Sequence, residues 1–164
     1  SEPMLDYECE LGVVIGKGGM DIAPENAMAH VFGYTVFNDV SARRRLIPEF
    51  RGVTGPLKGK DFQTGNIMGP WIVTRDEIAD PSALELRMSV NGALKGIGRA
   101  ADMHHSIPDM IAYASEGEML VPGEFFGTGA PADCTGIEHW EFLKSGDVMT
   151  LEIPTIGKLE NKVA

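Results

Sequence analysis

The sequence is short of cationic residues, of cysteine and of long apolar runs, and each shortage excludes a class of protein. It has 14 Lys and Arg against 24 Asp and Glu, which gives a formal net charge of −10. This excess of carboxylates repels phosphate backbones, so we expect no nucleic-acid partner. The two cysteines, Cys9 and Cys134, lack the C-x-x-C spacing of zinc and redox sites. We therefore expect two reduced, structural thiols.

The apolar stretches, such as residues 11–15 and 67–73, are much shorter than the roughly 18 residues of a membrane-spanning helix. We expect no signal peptide, no membrane partner and a cytoplasmic location. The length of 164 residues suits a single domain over 1–164. Because the sequence begins at Ser1 and not at Met, we expect residues upstream of it in the natural chain.

Twenty Gly and ten Pro favour a strand-rich architecture, and the pattern along the chain predicts a mixed, β-dominated (α+β) fold with a few short helices. Asn91-Gly92 after an alternating apolar and polar segment predicts a β-hairpin over 84–98. Ser106 is the expected N-cap of a helix that continues to about residue 114. The composition of 45–65 predicts a long loop. Further strands are expected at 7–16, 32–39, 71–74, 124–128 and 148–153, and a short helix at 24–30.

Two carboxylates, Glu8 and Glu10, lie one residue apart on the first predicted strand and therefore point to the same face, with Cα atoms roughly 6.5–7 Å apart. On its own such a pair indicates a solvated strand edge. Here the strand continues into apolar residues that resemble a core, so the two charges need compensation, which a hard divalent cation supplies. Asp39, which read alone is a turn or cap residue, would complete a three-carboxylate site for Mg²⁺ or Mn²⁺.

Several motifs together resemble the fumarylacetoacetate hydrolase superfamily. They are Glu-x-Glu at 8–10, Asn-Asp-x-Ser-Ala-Arg at 38–43 and Gly-Lys-x-Phe at 59–62, with Gly-Thr-Gly at 127–129 and further pieces in the expected order along the whole chain. The resemblance implies a mixed β-roll of the catalytic, C-terminal type. It also implies that Glu8, Glu10 and Asp39 hold Mg²⁺ or Mn²⁺, with Ca²⁺ as a third hard cation that such a site accepts.

The resemblance assigns roles to four more residues. Lys60 matches the active-site lysine, which binds a substrate oxygen and contributes to catalysis. Thr128 matches a threonine that lines the substrate pocket, and Arg43 matches an arginine that either faces the substrate carboxylate or orients the site carboxylates. Glu138 falls where some hydrolases of the superfamily place a carboxylate near the attacking water, although a surface carboxylate is the alternative interpretation.

Two departures from the family pattern bear on the reaction. Leu46 stands where many relatives have a Gln, which predicts a different substrate range. The usual His–Glu base precedes the Glu-x-Glu strand on a lid helix, and only seven residues precede Glu8 here. His30, His104 and His105 are weak substitutes, because they are expected at a helix boundary and in a loop.

The leading hypothesis is a divalent-metal-dependent hydrolase or decarboxylase that cleaves a C–C bond in a small β-dicarbonyl or 2-oxo acid, through an enolate that the metal stabilises. One alternative is a hydratase or isomerase of 2-oxo or 2-hydroxydienoic acids. The other is a catalytically silent, metal-binding homologue. The expected partners are a small anionic oxo acid and a second copy of the chain in a homodimer, both of which the resemblance implies.

Overall fold

The computed structural model describes residues 2–53 and 55–164 and is dominated by antiparallel strands. The strands are β1 (Leu5–Asp6), β2 (Cys9–Ile15), β3 (Val31–Asp39), β4 (Ser41–Ala42), β5 (Asn66–Thr74), β6 (Glu85–Val90), β7 (Ala93–Arg99), β8 (Phe125–Gly127), β9 (Val148–Ile153) and β10 (Gly157–Lys162). The α-helices are α1 (Pro24–Ala27), α2 (Arg43–Arg51), α3 (Ile107–Ala114) and α4 (Gly136–His139), and short 3₁₀ turns cover Met28–His30, Pro81–Ala83 and Ala100–Asp102. The prediction of a β-dominated α+β fold with short helices is confirmed.

Two four-stranded antiparallel sheets enclose the core, with strand orders β5-β3-β2-β8 and β10-β9-β6-β7, and β1 pairs with β4 beside them. Strand β2 sends Leu11 and Val13 into this core, where Leu86 of β6 and Leu151 of β9 also lie. Glu10 and Gly12, which alternate with Leu11 and Val13 along β2, face the opposite side of the sheet, because side chains alternate along a strand. Six of the seven residues of β2 are nevertheless buried, so Glu10 is covered although it points away from Leu11 and Val13.

The clearest local signals of the sequence are confirmed. Asn91 and Gly92 both have positive φ, at 52° and 77°, as a type I′ turn requires, and they join β6 to β7. Ser106 caps α3 in a capping box with Asp109. Strand β9 covers the predicted residues 148–153, and β8 covers the middle of the segment expected at 124–128.

The prediction of a loop over 45–65 is wrong in its first part, because Arg43–Arg51 form helix α2. Pro48 inside the helix hides the pattern, since proline lacks the N–H of an interior helical residue and predicts a break. The helix is amphipathic in spite of it, with Arg43 and Leu46 buried. Thr54, within the same predicted loop, lies outside the described residues.

Several other elements differ from the sequence-based expectation. Strand β5 begins at Asn66, five residues before the predicted start, and β1, β4, α4 and β10 were not predicted. Strand β10 carries little apolar signal because Leu159 is its one buried residue among charged and polar neighbours. Among the described residues, the structure contains no helix with the length and apolar character needed to cross a membrane.

Candidate metal centre

Three carboxylates converge where β2 begins and β3 ends. Glu8, Glu10 and Asp39 each offer an oxygen within 4.8 Å of the oxygens of the other two. The strand register explains the convergence, because Cys9 pairs with Asn38 and the Asp39 N–H donates to the Glu8 carbonyl at 3.1 Å. Asn38 is fully buried and accepts a hydrogen bond from the Glu8 N–H, which holds the two strand ends together. The structure therefore brings together all three predicted metal ligands.

Lys60 lies directly on this cluster. Its Nζ is 2.7 Å from Glu8 Oε2 and 2.6 Å from Asp39 Oδ2. The loop that carries Lys60 rests on α2, because a Cβ placed on Gly59 would come within 2.7 Å of the Leu46 backbone. Leu46 is buried in this contact.

The Lys60 loop is also tied to α2 by hydrogen bonds. The carboxylate of Glu49 accepts hydrogen bonds from the N–H groups of Leu57 and Gly59. These bonds lower the pKa of Glu49, the Leu57 N–H having the largest effect. Helix α2, which was missed in the sequence, therefore supports the approach of Lys60 to the carboxylates.

Arg43 contacts two carboxylates in the structure. Its Nη2 lies 2.6 Å from Glu8 Oε1 and 2.7 Å from Asp6 Oδ2, and its Nε donates to the same Asp6 oxygen at 2.7 Å. Arg43 is 8% exposed and Asp6 is completely buried. Of the two roles considered from the sequence, this geometry favours the orientation of site carboxylates over direct binding of substrate.

Asp6 is the residue that sequence reasoning missed. It belongs to the Leu-Asp-Tyr segment before Glu8, yet a single Asp at the start of a strand carries no local signal of burial. Burial raises its pKa, while the hydrogen bonds and charge of Arg43 and the N–H groups of Gly136 and Ile137 oppose that rise. Only the packing of α4 and α2 around it shows that it is an internal anion.

Glu10 is the most buried of the three converging carboxylates, with 4% of its surface exposed. Burial raises its pKa to about 8, the Gly129 N–H opposes the rise, and the charges of Glu8 and Asp39 add to it. Gly129 donates to Glu10 Oε2 at 3.0 Å. Gly127 lets this oxygen come close to β8, since a Cβ there would lie 2.6 Å from it.

The donor set fits a divalent cation. The carboxylates and cations of the cluster are Asp6, Glu8, Glu10, Asp39, Arg43 and Lys60. Ionised, these four carboxylates and two cations carry a net charge of −2, in surroundings with little water to screen it. A divalent ion would neutralise that charge, and ligation by oxygen alone favours Mg²⁺, Mn²⁺ or Ca²⁺ over zinc.

Thr128 lies in the wall of a cavity of about 390 Å³, together with Leu11, Leu86 and parts of residues 97–104 and 128–133. It is buried, and its N–H donates to the Leu11 carbonyl. Its neighbour Gly129 lines the same cavity and also binds Glu10. None of the three carboxylates lines this cavity, and Gly129 is the point of contact between its wall and Glu10.

Glu138 lies on α4, with an exposed side chain. Its Oε2 accepts a hydrogen bond of 2.7 Å from Thr135 Oγ1. Thr135 also forms an isolated β-bridge with Glu8, so this one residue connects Glu138 to the carboxylate cluster. His104 and His105 are exposed, and the Nδ1 of His30 lies 2.8 Å from the Lys17 carbonyl.

A family model described as the C-terminal part of fumarylacetoacetate (FAA) hydrolase matches residues 1–164. The chain belongs to the fumarylacetoacetate hydrolase family. It is 41% identical over 162 residues to an oxaloacetate tautomerase from Bacillus subtilis, and the alignment covers 97% of this chain and 52% of that protein. It is 39% identical over 159 residues to a 4-hydroxyphenylacetate degradation bifunctional isomerase/decarboxylase from Salmonella dublin, with coverage of 97% and 35%. The chain thus spans about half the length of the first curated relative, and less of the second.

Solved structures of the family share the fold. A fumarylpyruvate hydrolase from Pseudomonas aeruginosa, in complex with Mn²⁺ and pyruvate, superposes with a TM-score of 0.89 at 27% identity, over all of this chain and 67% of that one. A fumarylacetoacetate hydrolase from Exiguobacterium antarcticum gives a TM-score of 0.88 at 37% identity, over 98% and 57%. Named members of the family therefore include hydrolases, isomerases and tautomerases.

Proposed function

We propose that this chain is the catalytic domain of a divalent-metal-dependent enzyme that acts on a small β-dicarbonyl or 2-oxo acid. The observation that carries the proposal is the convergence of Glu8, Glu10 and Asp39, which each offer a carboxylate oxygen within 4.8 Å of those of the other two. The related fumarylpyruvate hydrolase with Mn²⁺ and pyruvate supports Mn²⁺ as the ion and an oxo acid as the ligand class. Mg²⁺ is the second ion that this donor set suits.

The bound ion would supply Lewis-acid polarisation of a carbonyl next to the bond that changes. The protein's own residues orient the reaction. Lys60, whose Nζ already lies between Glu8 and Asp39, offers a compact positive charge to a substrate oxygen that enters the same space. Thr128, the expected pocket threonine, lies beside Gly129, whose N–H binds Glu10, and would contact the remainder of the substrate.

Proton transfer needs a base that the carboxylate ligands do not provide. Glu138 is our candidate, because it lies on α4 next to the segment that pairs with Glu8, and because it is exposed to solvent. Its hydrogen bond with Thr135 Oγ1 orients the carboxylate while leaving its other oxygen available to a water molecule.

The reaction catalysed has two candidates. The first is hydrolytic cleavage or decarboxylation of a C–C bond. The second is tautomerisation or isomerisation without C–C bond cleavage. Its support is the similarity of the chain to the oxaloacetate tautomerases of Bacillus subtilis and of human mitochondria, at 41% and 40% identity. In both candidates negative charge develops on the carbon next to a carbonyl, so the same ligand set serves either reaction.

An activity screen with Mn²⁺ or Mg²⁺ against oxaloacetate, acylpyruvates and 2-hydroxydienoates separates the candidates. Pyruvate and a second acid or CO₂ as products would show cleavage, whereas a changed keto–enol ratio with unchanged mass would show tautomerisation. Glu8→Gln should abolish activity and Mn²⁺ binding, and the surface variant Glu160→Gln should retain both. If chelator-treated wild-type protein binds neither ion by calorimetry, the metal proposal fails. Metal binding without turnover of any substrate would favour the silent homologue.

We also propose that residues 1–164 form one domain, that it acts in the cytoplasm and that it forms a homodimer. The continuous apolar core that joins both sheets supports the single domain. Cys9 and Cys134 are buried and form no disulfide, which suits the reducing conditions of the cytoplasm. Met68, Trp71 and Ile72 expose 51%, 61% and 44% of their surfaces on β5, which is a large apolar area for a surface strand. Light scattering coupled to gel filtration would test the dimer.

A further inference from the structure

We propose that Asp6 is a positioning residue for the metal centre. It acts through Arg43 on the ligand Glu8, and through two backbone N–H groups on helix α4. This inference rests on the proposed function, because it concerns the same ion site.

The contacts of Asp6 join segments that are far apart in the chain. Its Oδ1 accepts hydrogen bonds from the N–H groups of Tyr7 and Gly136, at 2.8 and 2.7 Å. Its Oδ2 accepts from the Ile137 N–H at 3.1 Å and lies 2.7 Å from both Nε and Nη2 of Arg43. One buried carboxylate therefore connects β1, α2 and the first turn of α4.

Arg43 passes this constraint to the metal ligand. The Nη2 that contacts Asp6 is also 2.6 Å from Glu8 Oε1, while Lys60 lies 2.7 Å from Glu8 Oε2. Both oxygens of Glu8 are thus directed by cations, and one of these cations is directed by Asp6. The fork of a guanidinium allows such a double contact, which a lysine ammonium cannot reproduce in the same geometry.

An asparagine at position 6 has no satisfactory orientation. Each oxygen of Asp6 accepts at least two N–H groups, so the NH₂ of an amide would face donors on either side. With Asn at this position, Arg43 loses its charged anchor and keeps Glu8 as its charged partner. Glu8 would then be drawn toward Arg43 and away from Glu10 and Asp39. Loss of a group that orients a metal ligand typically costs about 10–100-fold in metal affinity.

The test is a titration of chelator-treated protein with Mn²⁺, in which free Mn²⁺ is followed by electron paramagnetic resonance. We expect Asp6→Asn to bind Mn²⁺ about 10–100-fold more weakly than wild type. The control Asp80→Asn makes the same exchange at an exposed Asp that accepts the Ser82 N–H, and it should bind within about twofold of wild type. Equal affinity of Asp6→Asn and wild type would overturn the inference and leave the proposed function intact. If wild type itself binds no Mn²⁺, both proposals fail.

A double-mutant cycle distinguishes positioning through Arg43 from a general loss of structure. Arg43→Lys keeps the charge and removes the double contact, so it should also weaken Mn²⁺ binding by about tenfold or more. The combination Asp6→Asn with Arg43→Lys should lose little beyond the larger single effect, because both changes break one connection. Additive losses would overturn the inference. Should Asp6→Asn not fold, Arg43→Lys decides alone, and wild-type affinity in that variant would refute the inference.

Discussion

Replacing Lys60 with Met should destabilise the metal-free protein far more than the metal-bound protein. Lys60 forms two ion pairs, with Glu8 and Asp39, and these three side chains are 15–21% exposed. Removal of one partner from a buried ion pair costs about 3–5 kcal/mol, and partial exposure reduces this to about 2–3 kcal/mol. For a chain of this length the loss corresponds to a decrease in Tm of about 4–12 °C in the presence of EDTA.

Saturating Mn²⁺ should remove at least half of that loss. Without Lys60 the cluster loses one positive charge, and a divalent cation offsets the added repulsion between Glu8 and Asp39. A ligand that binds only the folded state stabilises it by RT ln(1 + [L]/Kd), so tighter binding by the variant gives a larger rise in Tm.

Differential scanning calorimetry with EDTA or with excess MnCl₂ measures both effects. The control is Lys58→Met, two residues away, because Lys58 makes an exposed ion pair of 3.5 Å with Asp61. That variant should keep a Tm within about 2 °C of wild type in both conditions, as expected for a surface pair. The reasoning is refuted if Lys60→Met loses equal stability with and without Mn²⁺, or loses none in EDTA.

Two further predictions concern Glu10. In Gly127→Ala the new Cβ would lie 2.6 Å from Glu10 Oε2, so Mn²⁺ affinity should fall about tenfold or more. The control is Gly18→Ala, whose new Cβ would lie 2.7 Å from the Leu120 carbonyl oxygen, away from the carboxylates. This control should lower Tm without changing Mn²⁺ affinity. The pKa of Glu10 is raised to about 8, so its stabilising contribution is complete below about pH 4.3 and is lost as pH rises through 8. In EDTA, the Tm of wild type should therefore fall more between pH 5 and 8 than that of Glu10→Gln, and equal slopes would contradict the burial argument.

The sequence predicted correctly those elements that depend on interactions between residues close together in the chain. The Asn91-Gly92 turn and the Ser106 cap depend on backbone angles and hydrogen bonds within four residues, and both were predicted at the correct positions. Helix α2 was missed because Pro48 argues against a helix, while the burial of Leu46 against the Lys60 loop argues for one. That second contact is between residues distant in sequence, so no local pattern contains it.

The sequence by itself determined the fold class and indicated which carboxylates could bind a metal. A period of two places Glu8 and Glu10 on one face of a strand, Asp39 completes a three-carboxylate set, and the family motif adds Lys60. Only the tertiary structure decided what surrounds them: Asp6 became an internal anion, and Arg43 became its link to Glu8. The physical reason is that burial and Coulomb interaction depend on distance through space, and Asp6 meets its partners across 37 and 130 residues of chain.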